Sequence, residues 1–538
     1  MLRLPDQHAI REAAAVKRRR NNHPMALRLR TTSMADRDPT LWRGASSGIV
    51  AGFVAVSVSH LVASFSRNLR NPILDVGDRV IDGVPSAIKE FAIDVFGTAD
   101  KPALLVGIAV LLVAYSAGVG IVTARKSPTL GAIGVAAFGV IGAASAVAGT
   151  GGVTAAVPSV VGAGAGIAAL LTLNRYARPG LDPHLAASRR TFLQAAGALT
   201  VSALALGGLG FAVDRRFEID PSGLALPSPD RPIDPIPSDV AFPESGLDPF
   251  VTPNVEFYRI DTALTVPRID PSTYTLAITG MVERPLTLTY TELIDRPLVE
   301  SDITLTCVSN EVGGKLVGNA RWLGVRLDDL LAEAGIDPGA DQVVGRSVDR
   351  YTCGFPVSAL DGRDALVAIG MNGEPLPPEH GFPARLIVPG LYGYVSATKW
   401  LAEIELTTFD RFDHYWVERG WAVEAPIKTQ SRIDTPAALG RISPGATAVA
   451  GVAWAQIRGI ERVEVRIDGG QWQDAELAAE LNDTTWRQWK LSWDATPGRH
   501  EISCRATDRT GTTQTEDRTR PIPNGASGWH SIVVIVES

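Results

Sequence analysis

Cys307 stands in Thr304-Leu305-Thr306-Cys307-Val308-Ser309-Asn310, at the end of an alternating apolar run with polar and glycine-rich residues behind it. A thiol so placed is set to bind something rather than to fill a core. Downstream come Ala320-Arg321-Trp322-Leu323-Gly324-Val325-Arg326-Leu327, Met371-Asn372-Gly373-Glu374-Pro375-Leu376-Pro377, Glu379-His380-Gly381-Phe382-Pro383-Ala384-Arg385 and Lys399-Trp400-Leu401. Only three cysteines occur, Cys307, Cys353 and Cys504, with no pair at CxxC spacing. That argues against a disulfide framework and against a structural zinc site. Cys353 and Cys504 read as core residues.

These side chains need a frame. Residues 274–280 and 303–307 alternate as strands, and residues 327–334 have the pattern of a helix ended by Gly335. An α+β domain of about 170 residues is the expectation. Farther on, residues 448–455, 463–467, 487–493 and 500–506 form short alternating runs separated by turns such as Asp468-Gly469-Gly470 and Pro497-Gly498. That spacing predicts a β-sandwich.

On these motifs, residues from about 253 to 408 resemble the catalytic domain of the sulfite oxidase family of molybdopterin enzymes. Residues from about 426 to 538 resemble that family's immunoglobulin-like, dimerisation-type domain. The resemblance implies one molybdenum-molybdopterin group per chain, with Cys307 as the single protein ligand to the metal. It implies that His380, Arg385 and Lys399 hold the pterin and its phosphate, with Ala397 and Thr398 contributing main chain. Tyr258, Arg259, Asp261 and Asp349 would make further cofactor contacts. Cys307, Trp322, Arg259 and Trp421 would form the catalytic set, with Trp322 lining the substrate site. Two departures bear on the substrate. Sulfite oxidases have an arginine five residues after the metal cysteine, where this chain has Val312, and a tyrosine near the metal, where alignment puts Trp421. Losing a cation weakens the case for sulfite unless Lys315 or Arg321 takes its place.

The chain has 538 residues and a net charge of -7, but its two halves differ in composition. The first 215 or so residues are rich in Ala, Gly, Val and Leu, and the rest carries most of the carboxylates, so the net charge says little about partners. Five apolar stretches of membrane-spanning length fall at residues 45–65, 103–123, 129–149, 153–173 and 191–213. The basic amino terminus, Arg125-Lys126 and the segment with Arg175, Arg178, Arg189 and Arg190 fall on one side if the amino terminus is cytoplasmic. Everything after residue 213 is then extracytoplasmic. The loop between the first two spans carries basic and acidic residues interleaved. Val80, Val84, Ile88, Phe91 and Val95 recur there at helical spacing, which predicts an amphipathic surface helix. Gly162 and Gly166 form a GxxxG pair suited to close helix packing. His60 is the one histidine in any span, so no haem held by two histidines is expected. Ser188-Arg189-Arg190-Thr191-Phe192-Leu193 looks like a twin-arginine export motif. Residues 17–20, the one basic cluster, precede a span, and no nucleic-acid partner is expected.

The expected organisation is a basic cytoplasmic segment (1–44), a five-helix transmembrane region (45–213) and a proline-rich spacer (214–252). A molybdopterin-binding catalytic domain (253–425) and an immunoglobulin-like dimerisation-type domain (426–538) follow. The expected function is a membrane-anchored, extracytoplasmic molybdenum oxidoreductase. It would transfer an oxygen atom, or make a related two-electron change, on a small oxyanion or sulfur compound. Electrons would pass to or from a separate cytochrome or quinone-linked carrier, and a homodimer would form through the last domain. The alternatives are a cofactor-free scaffold on the same fold, which retention of Cys307, His380, Arg385 and Lys399 opposes, and a small transporter, which spans without ionisable residues oppose.

Overall fold

The structure, a computed structural model, describes residues 39–67, 69–84, 100–177 and 189–538. The chain divides into two compact units, 1–76 with 105–211 and 77–104 with 212–538. Helices α1 (Pro39–Ala63), α2 (Pro72–Gly83), α3 (Asp100–Arg125), α4 (Pro128–Ala146), α5 (Val157–Ala177) and α6 (Arg189–Asp214) come first. All but α2 are long and apolar enough to cross a membrane, and each of the five expected stretches falls on one of them. Of the amphipathic helix expected over residues 80–95, only the start is described: α2 ends at Gly83, and residues 85–99 lie outside the described residues. So do the basic cluster at 17–20, Arg178 and Ser188, whereas Arg189 and Arg190 open α6.

Small residues let these helices meet closely. A Cβ on Gly44 would stand 3.0 Å from the Gly120 carbonyl oxygen, so α1 and α3 touch backbone to backbone. On α5, a Cβ on Gly166 would lie 2.9 Å from Ala55 Cβ of α1, and one on Gly162 would meet the Ala55 carbonyl at 2.6 Å. The GxxxG pair is thus a packing device, as its apolar setting predicts.

The second unit is built on β1 (Thr275–Gly280), β2 (Leu286–Thr289), α7 (Tyr290–Ile294), β3 (Leu298–Thr306), β4 (Val317–Arg326) and α8 (Leu327–Ala334). There follow β5 (Gln342–Ser347), β6 (Thr352–Pro356), β7 (Leu366–Met371), β8 (Glu374–Pro375), β9 (Arg385–Ile387), α9 (Gly393–Ser396) and β10 (Leu401–Thr407). One sheet runs β2-β1-β10-β5-β6 and the other β3-β4-β7-β8, with β9 on β7. Between them lies a core that includes Leu276, Ile404, Val343, Phe355, Val325 and Ile369, to which α8 adds Leu327, Leu330, Leu331 and Ala334. Gly335, at φ 71°, ends α8 by donating its N–H to Leu331 O, a backbone state that favours glycine. The other face of the β3-β4-β7 sheet is covered too, by a cluster with Ile303, Leu305, Trp322, Met371 and Phe257. Burial on both faces explains why nearly every β3 residue is buried.

The carboxy-terminal region has a sheet of β11 (Gln430–Thr435), β13 (Gly445–Trp454), β17 (Arg487–Ala495) and β16 (Glu476–Leu477). A second sheet comprises β12 (Arg441–Ile442), β19 (His530–Val536), β18 (Gly498–Asp508), β14 (Ile460–Ile467) and β15 (Gln473–Asp474). Val449 and Trp489 of one sheet share a core with Val463, Ile502, Cys504 and Val534 of the other. The four alternating runs of the sequence are strands β13, β14, β17 and β18.

The proline-rich segment, expected as a semi-rigid spacer, is tied to the β-rich unit. Asp230 N–H donates to Leu298 O at 2.9 Å, Ala479 N–H donates to Asp239 O at 2.9 Å, and Val240 and Phe250 are buried. Its apolar residues sit on the surface of the β-rich unit, where burial outweighs the freedom that an extended proline-rich chain retains in water.

Candidate functional site

Antiparallel pairing of β3 with β4 runs from Leu298↔Val325 to Thr306↔Val317, and Cys307 is the first residue beyond it. Its N–H still donates to Leu316 O at 2.9 Å. The chain then turns tightly: Asn310 N–H donates to Cys307 O at 3.0 Å, and Asn310 Oδ1 accepts Leu316 N–H at 2.9 Å. Residues flanking the carboxy-terminal strands hold the end of β3 that leads into Cys307. Gln456 Nε2 donates to Thr304 O at 3.0 Å and to Thr306 Oγ1 at 3.2 Å, and Trp486 N–H donates to Thr304 Oγ1 at 2.8 Å. The thiol lines a cavity together with Tyr258, Asp261, Asp349, Arg385 and Lys399. Burial pushes the Cys307 thiol above its ordinary value, against hydrogen bonding at Ser309 and the charge of Lys399.

One wall is cationic. Arg385 on β9 is almost fully buried, donates from Nη1 to His380 O at 3.0 Å, and has no partner at Nε. Burial lowers its guanidinium to about 10. His380 faces the Asn254 carbonyl through Nε2 at 2.8 Å, which makes Nε2 the donor and leaves the buried Nδ1 an acceptor without a partner. Burial, with Arg385 and Lys399 nearby, lowers the imidazole to about 4, so it is neutral. Gly381, at φ 115°, passes Lys399 so closely that a Cβ would stand 3.1 Å from Lys399 Cα. That glycine lets the two halves of the motif meet.

Asp261 gathers the cations. Its Oδ2 accepts from Arg259 Nε at 2.8 Å and Lys399 Nζ at 3.2 Å, and its Oδ1 accepts from Lys101 Nζ at 2.7 Å. Burial opposes its ionisation, yet Lys399, Lys101 and Arg259 together hold the carboxyl well below the usual range. Lys399 is itself lowered to about 8 by burial, which Asp261 partly offsets. Asp349 also lines the cavity. Burial raises its carboxyl, with Asp261 and Asp78 adding to the rise, and Thr262 Oγ1 donates to it at 3.5 Å.

Part of the lining is aromatic. Tyr351, Tyr394, Trp416 and Trp421 line it with Val308. Tyr351 donates to Tyr394 O at 2.8 Å, Tyr394 donates to Ala422 O at 2.6 Å, and the Trp421 ring lies 5.7 Å from Tyr394 and 6.0 Å from Trp416.

Of the residues expected from sequence, Cys307, Tyr258, Asp261, Asp349, Arg385, Ala397, Lys399 and Trp421 line one cavity. Arg259 stands behind it on Asp261, with its side chain 40% exposed. Thr398 is buried beneath it, donating to Cys353 Sγ at 2.9 Å. Trp322 does not line the cavity. It is fully buried, donates from Nε1 to Ile303 O at 3.2 Å, and lies under Arg385. Its place on a strand covered on both faces leaves it no path to the opening. Neither candidate substitute cation reaches the cavity: Arg321 is held by Asp302 at 2.8 Å and Lys315 is exposed. Cys353 and Cys504 are buried free thiols in the two cores. Sequence reading missed Tyr394, Trp416 and Lys101, which come to the site from loops and a distant segment with no shared period.

Comparison with known proteins adds to this geometry. A family model described as the oxidoreductase molybdopterin binding domain matches residues 263–416, and one described as the Mo-co oxidoreductase dimerisation domain matches residues 422–537. The mitochondrial sulfite oxidase of Homo sapiens is 30% identical over 348 residues, covering 55% of this chain and 63% of that protein. NADH nitrate reductase 1 of Oryza sativa subsp. japonica is 32% identical over 333 residues, covering 50% of this chain and 36% of that protein. Among solved structures, the sulfane dehydrogenase SoxCD of Paracoccus pantotrophus aligns at 24% identity and a TM-score of 0.47, over 54% of this chain and 85% of that one. The chain spans 63% of the length of the mammalian sulfite oxidases it matches.

Proposed function

Because the chain belongs to the sulfite oxidase family of molybdopterin oxidoreductases, we propose that it is a membrane-anchored enzyme that makes a two-electron, oxygen-atom-transferring change on a small sulfur compound or oxyanion. Electrons pass to or from a separate cytochrome or quinone-linked carrier. The five apolar helices support the anchoring, and the basic residues flanking them support a cytoplasmic amino terminus with the catalytic unit outside the cytoplasm. A homodimer through the last, immunoglobulin-like region is the matching assembly.

The observation that carries this reading is the conjunction of the Cys307 thiol with the Arg385 guanidinium in the lining of one cavity, where Arg385 Nε is buried without a partner; His380 Nδ1 is a second buried orphan, outside that lining. A buried polar group without a partner is costly, so Arg385 Nε fits a bound group that accepts from it. One molybdopterin per chain fits this donor set, with Cys307 as the protein's ligand to the metal, Arg385, Lys399 and His380 holding the pterin and its phosphate, and Tyr258, Asp349, Ala397 and Thr398 beside them. When bound, molybdenum-molybdopterin supplies the two-electron redox change and the exchange of an oxygen atom. The chain's own groups bind and orient. Lys399 and Arg385 offset anionic charge, and the neutral His380 offers an acceptor. Trp416, Trp421 and Tyr394 keep water from the space over the thiol.

The lining bears on the substrate. Among the described residues its only cations are Arg385 and Lys399, and Lys399 is already on Asp261. An uncharged or weakly charged sulfur compound suits the aromatic wall better than a fully charged oxyanion, which loses hydration on entry. The test is molybdenum and pterin content of the purified protein. About one of each per chain is the expected result, and protein free of both from a cofactor-competent host would refute the assignment.

A further inference from the structure

Lys101 lies outside the stretch matched by the catalytic-domain family model, 263–416, yet it belongs to the same compact unit. Its ammonium makes three short hydrogen bonds: to Asp261 Oδ1 at 2.7 Å, Asp261 O at 2.8 Å and Ala263 O at 2.7 Å. An ammonium has three donors, and residues 261–263 offer an acceptor for each. That segment lines the cavity through Asp261 and Thr262.

The arrangement is more than a surface ion pair. The Asp261 side chain is only 4% exposed and that of Lys101 27%, so the contact is poorly screened. Asp261 is divided between its partners, with Oδ1 given to Lys101 and Oδ2 to Arg259 and Lys399. Without Lys101, Asp261 would have both oxygens for Lys399 and Arg259. The same segment of chain, 77–104, also supplies Asp78, whose charge is felt at Asp349 across the cavity lining.

We propose that Lys101 is a positioning residue of the cofactor pocket: it clamps residues 261–263, keeps Asp261 from drawing Lys399 out of place, and makes retention of an anionic cofactor depend on the segment that opens α3. The proposal rests on the molybdopterin reading above. It does not require Lys101 to touch the bound group. Lys101 lies in the same compact unit as the pocket, so a shift of its segment, 77–104, would loosen residues 261–263.

The experiment uses the full-length protein in detergent, comparing wild type with Lys101→Met, Lys101→Gln and Lys101→Arg. Two quantities are read: molybdenum and pterin per chain after low-salt and high-salt washing, and amide hydrogen exchange across residues 259–263 in protein stripped of cofactor. Lys101→Met and Lys101→Gln should lose cofactor several-fold, more so after the high-salt wash, and Lys101→Arg should restore most of it. Exchange over 259–263 should quicken by about tenfold in the two uncharged variants, as expected for losing a charge-assisted hydrogen bond. Wild-type cofactor content together with wild-type exchange in either uncharged variant would overturn the proposal. If wild type itself lacks molybdenum and pterin, the functional assignment fails, while the exchange measurement still decides whether Lys101 clamps the segment.

Discussion

The guanidinium carbon of Arg385 lies 5.0 Å from the centre of the Trp322 ring, with the ring fully buried beneath it. Arg385 is on β9 and Trp322 on β4, the two strands that flank β7. The indole face gives the buried cation a favourable surface where water is absent, and the His380 carbonyl takes one of its donors. Trp322 therefore acts on the site through Arg385.

Replacing Trp322 with Leu should remove the cation–π contact and open a cavity in the sheet's outer core. The expected cost is about 3 kcal/mol, with a lower thermal midpoint and reduced pterin content. Replacing it with Phe should restore most of both. Unchanged pterin in the Leu variant, at a lowered thermal midpoint, would show that Trp322 serves packing alone.

Cys307→Ser is expected to keep fold and pterin but to lose turnover, because a hydroxyl is a far poorer metal ligand than a thiolate. The raised thiol value adds a pH signature. The cofactor-free thiol is protonated at neutral pH, and metal binding must displace that proton. Metal loading of stripped protein should strengthen as pH rises toward the thiol's value, with proton release measurable by calorimetry in buffers of different ionisation heat. Undiminished activity in the Ser variant would remove the ligand assignment.

Trp421→Ala tests the aromatic wall. Trp421 touches Tyr394 and Trp416 and lines the cavity, without contact to the cationic side among the described residues. Molybdenum and pterin content should stay at the wild-type level while KM for an apolar sulfur substrate rises about tenfold, the scale of one lost aromatic contact. Loss of pterin with no change in KM would place this wall on the cofactor side.

Legibility followed the range of the interaction. Helix α8 and its Gly335 end were readable because a 3.6-residue period and a glycine stop are local signals, and Cys307, Arg385 and Lys399, which the fold brings to one cavity, stood out because each sits in a contiguous motif. The sequence could not show that Arg321 is spent on Asp302, that Lys101 reaches Asp261 across 160 residues, or that Trp322 is sealed between strands. Those facts depend on which strands become neighbours. The proline-rich segment misled for a related reason. Proline spacing favours an extended chain, but Val240 and Phe250 decide where that chain lies, and their partners are far away in sequence.

The last domain is expected to be inseparable from the Cys307 strand. Gln456 is fully buried and gives both its amide hydrogen bonds to Thr304 O and Thr306 Oγ1. Gln456→Leu should cost about 2 kcal/mol by leaving Thr306 Oγ1 without that donor, and should quicken hydrogen exchange over residues 304–310. A chain ended at residue 425 would also lose Trp454 and Trp486, which pack with Val308, Val317 and Tyr394. It should be insoluble or molten. A soluble, pterin-bearing truncated protein would show the catalytic fold to be independent.

His414 supplies a pH test. The residue is fully buried against Tyr394 at 5.9 Å, neither ring nitrogen has a partner, and burial lowers the imidazole to about 4. Its folded value thus lies below the ordinary 6.5, so the unfolded chain takes up a proton that the folded protein refuses. Stability from this group is complete above about pH 6.5 and falls as pH drops toward 4. At pH 5 the loss is about 2 kcal/mol. His380 and His530, also lowered to about 4, add losses of the same sign over the same window. His414→Leu removes one share: its thermal midpoint should match or exceed wild type at pH 8 and exceed it more clearly at pH 5. Melting curves that shift in parallel with pH in the two proteins would mean that His414 is paired or protonated in the fold.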